Sequence, residues 1–152
     1  MWRIRRKQSE PRWPALQSVD VLVIDDTDAS ADLTLLGIRR AAPSAKVVRF
    51  RDAKKALSFV FLAELSPSLV LLDSGNFNSG LQILERLRSS PRTSSVPVIV
   101  LAATRDPSGA TAGQSLGASD FVVKAVTREE YYDQVKDIIE RWLPKHAKRS
   151  SR

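Results

Sequence analysis

The sequence predicts a doubly wound α/β fold, with a parallel five-stranded sheet and helices on both faces. Two observations predict it. Short apolar runs alternate along the chain with longer segments of helical periodicity. That alternation of strand and helix is the signature of a parallel sheet joined by helical crossovers. The first, third and fifth apolar runs also end in charge, at Asp25-Asp26, Asp73 and Lys124. In open parallel sheets the working site lies at the carboxyl ends of the strands. A chain of 152 residues, 43% apolar, suffices for one ordinary domain with a core.

The elements follow in order. "DVLVID" (20–25) reads as a buried strand. "SADLTLLGIRRA" (30–41) reads as a helix, with apolar residues at 33, 36 and 38, ending near Pro43. "KVVRF" (46–50) is the second strand, and "AKKALSFVFLAEL" (53–65) is a helix with an apolar middle. "SLVLLD" (68–73) is the third strand. In "GLQILERLRSS" (80–90), Leu81, Leu84 and Leu87 share one helical face with Ile83 beside them. "VPVIVLAA" (96–103) and "SDFVVK" (119–124) are the fourth and fifth strands. Between them "DPSGATAGQSLG" (106–117) holds Gly109 and Gly113 and almost no large apolar residue. Each glycine costs about 1 kcal/mol in a helix interior, so a fourth helix there is expected to be short or mobile. The last helix is the best marked. Thr127 and Glu130 have capping-box spacing, Tyr131, Val135, Ile138 and Trp142 recur at helical steps, and Pro144 stops it. There is no internal repeat and no sign of a second domain.

The net charge of +7 sits at the ends. Residues 1–18 carry Arg3, Arg5, Arg6, Lys7 and Arg12 against Glu10, and residues 144–152 carry Lys145, Lys148, Arg149 and Arg152. Each end holds +4 and the stretch between them about −1. We therefore expect a basic N-terminal tail (1–18), one folded domain (19–143) and a basic C-terminal tail (144–152). Basic tails leave a nucleic-acid contact open, with Trp2 and Trp13 available to stack on bases, but the body of the domain does not favour it. No apolar run reaches the length of a membrane span and no signal-peptide core follows the first residues. The absence of cysteine excludes disulfides and thiolate metal sites and fits a reducing, cytoplasmic setting. The single histidine, His146, lies in the tail, so no Ser-His-Asp arrangement can form. No phosphate-binding glycine fingerprint follows the first strand, which argues against a nucleotide or flavin enzyme. A hydrolase built on the Asp pair is the remaining enzyme reading, and turnover of a phosphate ester would reveal it.

If the first and third strands are neighbours, Asp25, Asp26 and Asp73 converge, with Lys124 close by. Three carboxylates in one pocket repel and raise one another's pKa. A hard divalent cation removes the conflict, and oxygen ligands suit Mg²⁺. A carboxylate beside Mg²⁺ can accept a phosphoryl group, with the cation and a lysine neutralising the transferred charge.

"VLVIDD", "LVLLD", "VPVIVLAA" and "GASDFVVK" resemble, in order and separation, the receiver domain of bacterial two-component response regulators over roughly residues 19–143. The resemblance implies a flavodoxin-like sheet of strand order 2-1-3-4-5. It implies that Asp73 is the phosphoacceptor and that Lys124 contacts the phosphoryl group. Asp25, Asp26, Asp73 and the backbone carbonyl of Gly75 would hold Mg²⁺, and Phe121 stands at the aromatic switch position. It further implies a single-domain regulator, not an enzyme, whose phosphoryl donor is a sensor histidine kinase or phosphotransfer protein. The face of the fourth helix, fifth strand and fifth helix would meet a downstream protein or a second copy of the chain. "ALSFV" and "VKDIIERWL" are similar to regulators that pair with bacterial phytochrome kinases.

Three departures touch the loops around the pocket. Ala102 stands where the family has a Ser or Thr whose hydroxyl binds the phosphoryl group, and Thr104 lies two residues on. A hydrogen bond to a charged group is worth about 1.5–3 kcal/mol, so its loss weakens the coupling of phosphorylation to switching. Ala125 follows Lys124 where the family has proline, usually cis, so a trans bond and a rearranged loop are expected. "DSGNFNSG" (73–80) is one residue shorter than the usual acceptor loop, with Phe77 or Asn78 in place of its proline. Two readings result. One is a phosphoreceiver with atypical switching. The other is a degenerate pseudo-receiver that works as a phosphorylation-independent interaction module.

Overall fold

The computed structural model describes residues 18–103 and 117–145, and of residues 76–80 the backbone alone. Nearly all of both tails, with Trp2, Trp13 and His146, lies outside the described residues, as do Thr104 and nearly all of the glycine-rich segment in which a fourth helix is expected.

Five strands form one parallel sheet in the order β2-β1-β3-β4-β5: β1 (Val21–Ile24), β2 (Val47–Phe50), β3 (Leu69–Asp73), β4 (Val98–Ala102) and β5 (Asp120–Val123). The helices are α1 (Asp28–Ala41), α2 (Ala53–Leu62), α3 (Phe77–Ser89) and a final helix (Arg128–Trp142). The central strands β1, β3 and β4 are apolar and buried on both faces, as a sheet covered on two sides requires. Successive side chains point to opposite faces, so each strand feeds two cores. Leu22, Ile24, Val70 and Leu72 meet Phe59 of α2 and Leu84 and Leu87 of α3. Val21, Val23, Leu69 and Leu71 meet Ile38 of α1 and Val135, Ile138 and Ile139 of the final helix. On that second side α1 and the final helix come close at Gly37, where a Cβ would lie 3.0 Å from the Val135 side chain.

The chain leaves β1 for β2 on one side and later returns to β3 on the other, so strand order reverses between β1 and β3. Ile24 is in register with Leu72. The next residues, Asp25 and Asp73, therefore emerge together at the crevice where doubly wound sheets place their ligands.

Several boundaries differ from expectation. α1 begins at Asp28, not Ser30, because Thr27 is extended and the Asp28 carboxylate in the first turn is bracketed by Arg49 (2.9 Å) and Arg51 (2.6 Å) from the β2 side. α2 stops at Leu62 rather than 65, with Glu64 at a left-handed φ of 54° just beyond. α3 begins at Phe77 rather than Gly80, because a short 3-10 turn (Ser74–Asn76) runs directly into it. The fifth strand is only half-buried. Its one described neighbour is β4, which leaves it less covered than the centre of the sheet. The final helix starts as read, with Thr127 Oγ1 accepting from the Glu130 N–H at 3.3 Å.

Candidate functional site

Asp25 is the first residue past β1 and is 2% exposed. Its N–H donates to Phe50 O (3.0 Å), and its carbonyl accepts from Arg49 Nε (3.0 Å) and Nη2 (2.8 Å). Its Oδ1 accepts from the Thr27 N–H at 2.9 Å. The strand end is thus fixed from both backbone and side chain. Burial is the main cause that pushes its carboxyl above the ordinary value of 3.8. The charge of Asp73 adds to the rise, and hydrogen bonds from Ser30 and Thr27 and the charge of Lys124 oppose it. The upward shift expected from mutual repulsion therefore comes first from loss of water and only then from the neighbouring carboxylate.

Asp26 is exposed, with the Thr27 hydroxyl donating to its Oδ1 at 3.4 Å. Asp73 ends β3, its side chain 13% exposed. Its Oδ1 accepts from the Gly75 N–H at 2.9 Å and its Oδ2 is ion-paired with Lys124 Nζ. Asp25, Asp26 and Asp73 each offer an oxygen within 4.8 Å of the others. Gly75 closes this cluster. A Cβ there would stand 2.9 Å from Asp73 Oδ1 and 3.5 Å from Asp26 Oδ1. The bare glycine keeps open the space between the carboxylates, and three hard oxygen donors around that space suit a divalent cation such as Mg²⁺.

Lys124 follows β5. Its N–H donates to the Ala102 carbonyl at 2.7 Å, which ties the lysine to the end of β4. Its ammonium donates to Asp73 and, at 2.6 Å, to Ser30 Oγ. Ala102 is 2% exposed and brings only a methyl group to the end of β4. Phe121 lies on β5, half-buried, against the core cluster that α2 and α3 share with the sheet. The structure therefore brings Asp25, Asp26, Asp73, Gly75 and Lys124 into one constellation, with Ala102 joined to it through its carbonyl and Phe121 set apart on the strand.

Sequence reasoning missed three contributors. Ser30 accepts from Lys124 and donates to Asp25, bridging the lysine and the buried carboxylate. Arg49 clamps the carbonyl of Asp25 from β2. Gln134 on the final helix holds the backbone on either side of Lys124. Tyr131 on the final helix is buried, its hydroxyl lies 2.5 Å from Thr34 Oγ1, and burial pushes its pKa up to about 12. The peptide bond between Lys124 and Ala125 is trans, as expected without proline.

Strand ends that gather three acids and one lysine at the switch point of a 2-1-3-4-5 sheet are the arrangement that the receiver resemblance implies. Residues 21–136 match the family described as the response regulator receiver domain, and the chain belongs to that family, part of two-component signalling. It is 27% identical over 128 residues to the probable methanogenesis regulatory protein FilR2 of Methanothrix harundinacea, covering 81% of this chain and 83% of that one. It is 33% identical to the probable transcriptional regulator ycf27 of Porphyridium aerugineum, covering 83% of this chain and 50% of that one. The chain thus spans about half the length of some curated relatives. Among solved structures it is similar to the phosphorylated cyanobacterial phytochrome response regulator RcpA. The TM-score there is 0.73 at 22% identity, over 82% of this chain and 94% of that one. No helix among the described residues is long and apolar enough to cross a membrane.

Proposed function

We propose that the protein is a response regulator of a phosphorelay that accepts a phosphoryl group on Asp73 and signals through protein–protein contact. The observation that carries this reading is the ion pair between Asp73 and Lys124 beside the oxygens of Asp25 and Asp26. In the transfer, a carboxylate oxygen of Asp73 forms a bond to phosphorus. The bond from phosphorus to the donor's leaving group, an imidazole nitrogen or an acetate oxygen, breaks, and the leaving group keeps the electron pair. Lys124 neutralises charge on the transferred group. Asp25, Asp26, Asp73 and the Gly75 carbonyl would hold Mg²⁺, whose contribution when bound is further neutralisation of that charge. The donor is a sensor histidine kinase or phosphotransfer protein. A downstream protein would dock on the face that includes Phe121 and the final helix.

Intact mass after incubation with acetyl phosphate and Mg²⁺ tests the reading. We expect a gain of one phosphoryl group that Asp73→Asn abolishes. No gain in the wild type, with Mg²⁺ binding intact, would instead favour a pseudo-receiver that acts through its surface alone.

The buried methyl of Ala102 favours weak switching even in a working receiver. Ala102→Thr supplies a hydroxyl at the end of β4. One added hydrogen bond to a charged group is worth about 1.5–3 kcal/mol. The mutant should therefore show about a tenfold or larger gain in the structural response to beryllofluoride, followed by amide exchange along β4 and β5. An exchange pattern unchanged by the bound mimic would remove this role for position 102.

A further inference from the structure

We propose that Gln134 is a positioning residue for Lys124, holding the backbone on both sides of it so that the ammonium stays on Asp73. The inference deepens the phosphoreceiver reading and rests on it for the role of Lys124.

β5 ends at Val123, so Lys124 and Ala125 lie beyond the strand. Past them the chain turns outward, with Val126 fully exposed. Gln134, half-buried on the final helix, reaches back to this stretch. Its Nε2 donates to the Val123 carbonyl at 2.8 Å, and its Oε1 accepts from the Ala125 N–H at 2.8 Å. The two bonds fix which way the amide faces, because one partner is an acceptor and the other a donor. Together with the 2.7 Å bond from Lys124 N to Ala102 O, they satisfy the carbonyl before Lys124, its own N–H and the N–H after it. Position 125 matters here. Alanine offers the N–H that Gln134 accepts, whereas proline has none. The side chain at 134 also needs an acceptor and a donor one amide apart. Lysine lacks the acceptor, glutamate lacks the donor at neutral pH, and leucine lacks both.

The ammonium that this backbone carries has two partners, Asp73 and Ser30. A shift of about 1 Å at a group that neutralises transferred charge can cost on the order of a hundredfold in rate. A clamp at the base of Lys124 therefore acts on the chemistry without touching the phosphoryl group.

The test compares full-length wild type, Gln134→Leu and Gln134→Glu. Three quantities are read: exchange of the Ala125 amide, the Lys124 Nζ and Asp73 carboxyl resonances as a report on their pairing, and the rate of phosphorylation by acetyl phosphate at saturating Mg²⁺. In Gln134→Leu we expect faster Ala125 exchange, loss of the Lys124–Asp73 pairing signature and phosphorylation slowed about tenfold. The apparent Mg²⁺ affinity should stay within about twofold of wild type, because none of the three acids touches Gln134. Gln134→Glu keeps the acceptor for Ala125 and should fall between the two. If Gln134→Leu does not fold, Gln134→Glu alone carries the comparison with wild type. Faster Ala125 exchange with unchanged pairing and unchanged rate would reduce Gln134 to a structural brace and overturn the proposal. So would a loss of rate matched by an equal loss of Mg²⁺ affinity. If the wild type takes no phosphoryl group, the functional reading fails, and the proposal stands or falls on the resonances of Lys124 and Asp73.

Discussion

Asp25→Asn should unfold at higher denaturant concentration than the wild type in metal-free buffer at neutral pH, and should bind Mg²⁺ at least about tenfold more weakly. The two effects have one origin. The Asp25 carboxylate is 2% exposed, and burial holds its pKa above 3.8. A carboxyl whose folded pKa lies above its unfolded one costs stability at pH values above the folded pKa. That cost fades as pH falls through the folded pKa toward 3.8. Asparagine keeps an oxygen for the Thr27 N–H and removes the charge. We expect a gain of about 1 kcal/mol at neutral pH, shrinking as the pH is lowered into that window. Urea melts at a series of pH values, with isothermal titration of Mg²⁺, check both halves. Unchanged Mg²⁺ affinity would take Asp25 out of the metal site. A stability difference that grows toward low pH would show the sign of the linkage to be wrong.

Arg88→Ala should cost about 3 kcal/mol, or roughly 10 °C in Tm. Arg88 is a half-buried cation near the end of α3. Its guanidinium donates twice to the Gly117 carbonyl (3.0 and 2.8 Å), once to Val96 O (2.7 Å) and once to Ser94 O (3.2 Å). These bonds tie α3 to the chain entering β4 and to the turn entering β5. Gly117 has φ +96°, and a Cβ there would meet Arg88 atoms at 3.0–3.2 Å, so the side chain and the turn are fitted to each other. Truncation leaves the Gly117 and Val96 carbonyls without a charged donor. Arg88→Lys supplies a charge but not a planar fork, and should recover about half the loss. Thermal melts of the three proteins decide it. A Tm within about 2 °C of wild type for Arg88→Ala would mean that water replaces the guanidinium at little cost.

The sheet was legible because its central strands are buried on both faces and therefore read as unbroken apolar runs. The acids and the lysine were legible because charge at the end of such a run is conspicuous. Helix starts were harder to read. Nothing at Asp28 marks it as helical until Arg49 on β2 and Arg51 just past it arrive from some twenty residues on. In α3 the apolar spacing begins only at Leu81, so the turn before it carries no periodic signal. Ser30 and Gln134 are polar residues on helices, and nothing in the sequence singles them out. Their roles come from contacts with Lys124 and its flanking backbone, which only the folded sheet creates. β5 looks like a core strand in composition, and only its place in the sheet makes it half-buried.

The close approach at Gly37 also bears on how the chain is made. The α1 face that carries Ile38 is completed by Val135, Ile138 and Ile139. During synthesis α1 emerges early and its partner helix late. At roughly 10 residues per second, the ribosome needs about ten seconds to deliver the segment that covers that face. Over that interval the nascent chain carries an uncovered apolar strip on one side of its forming sheet. This is the period in which chaperone binding would matter most, and it ends only when the final helix closes on the first.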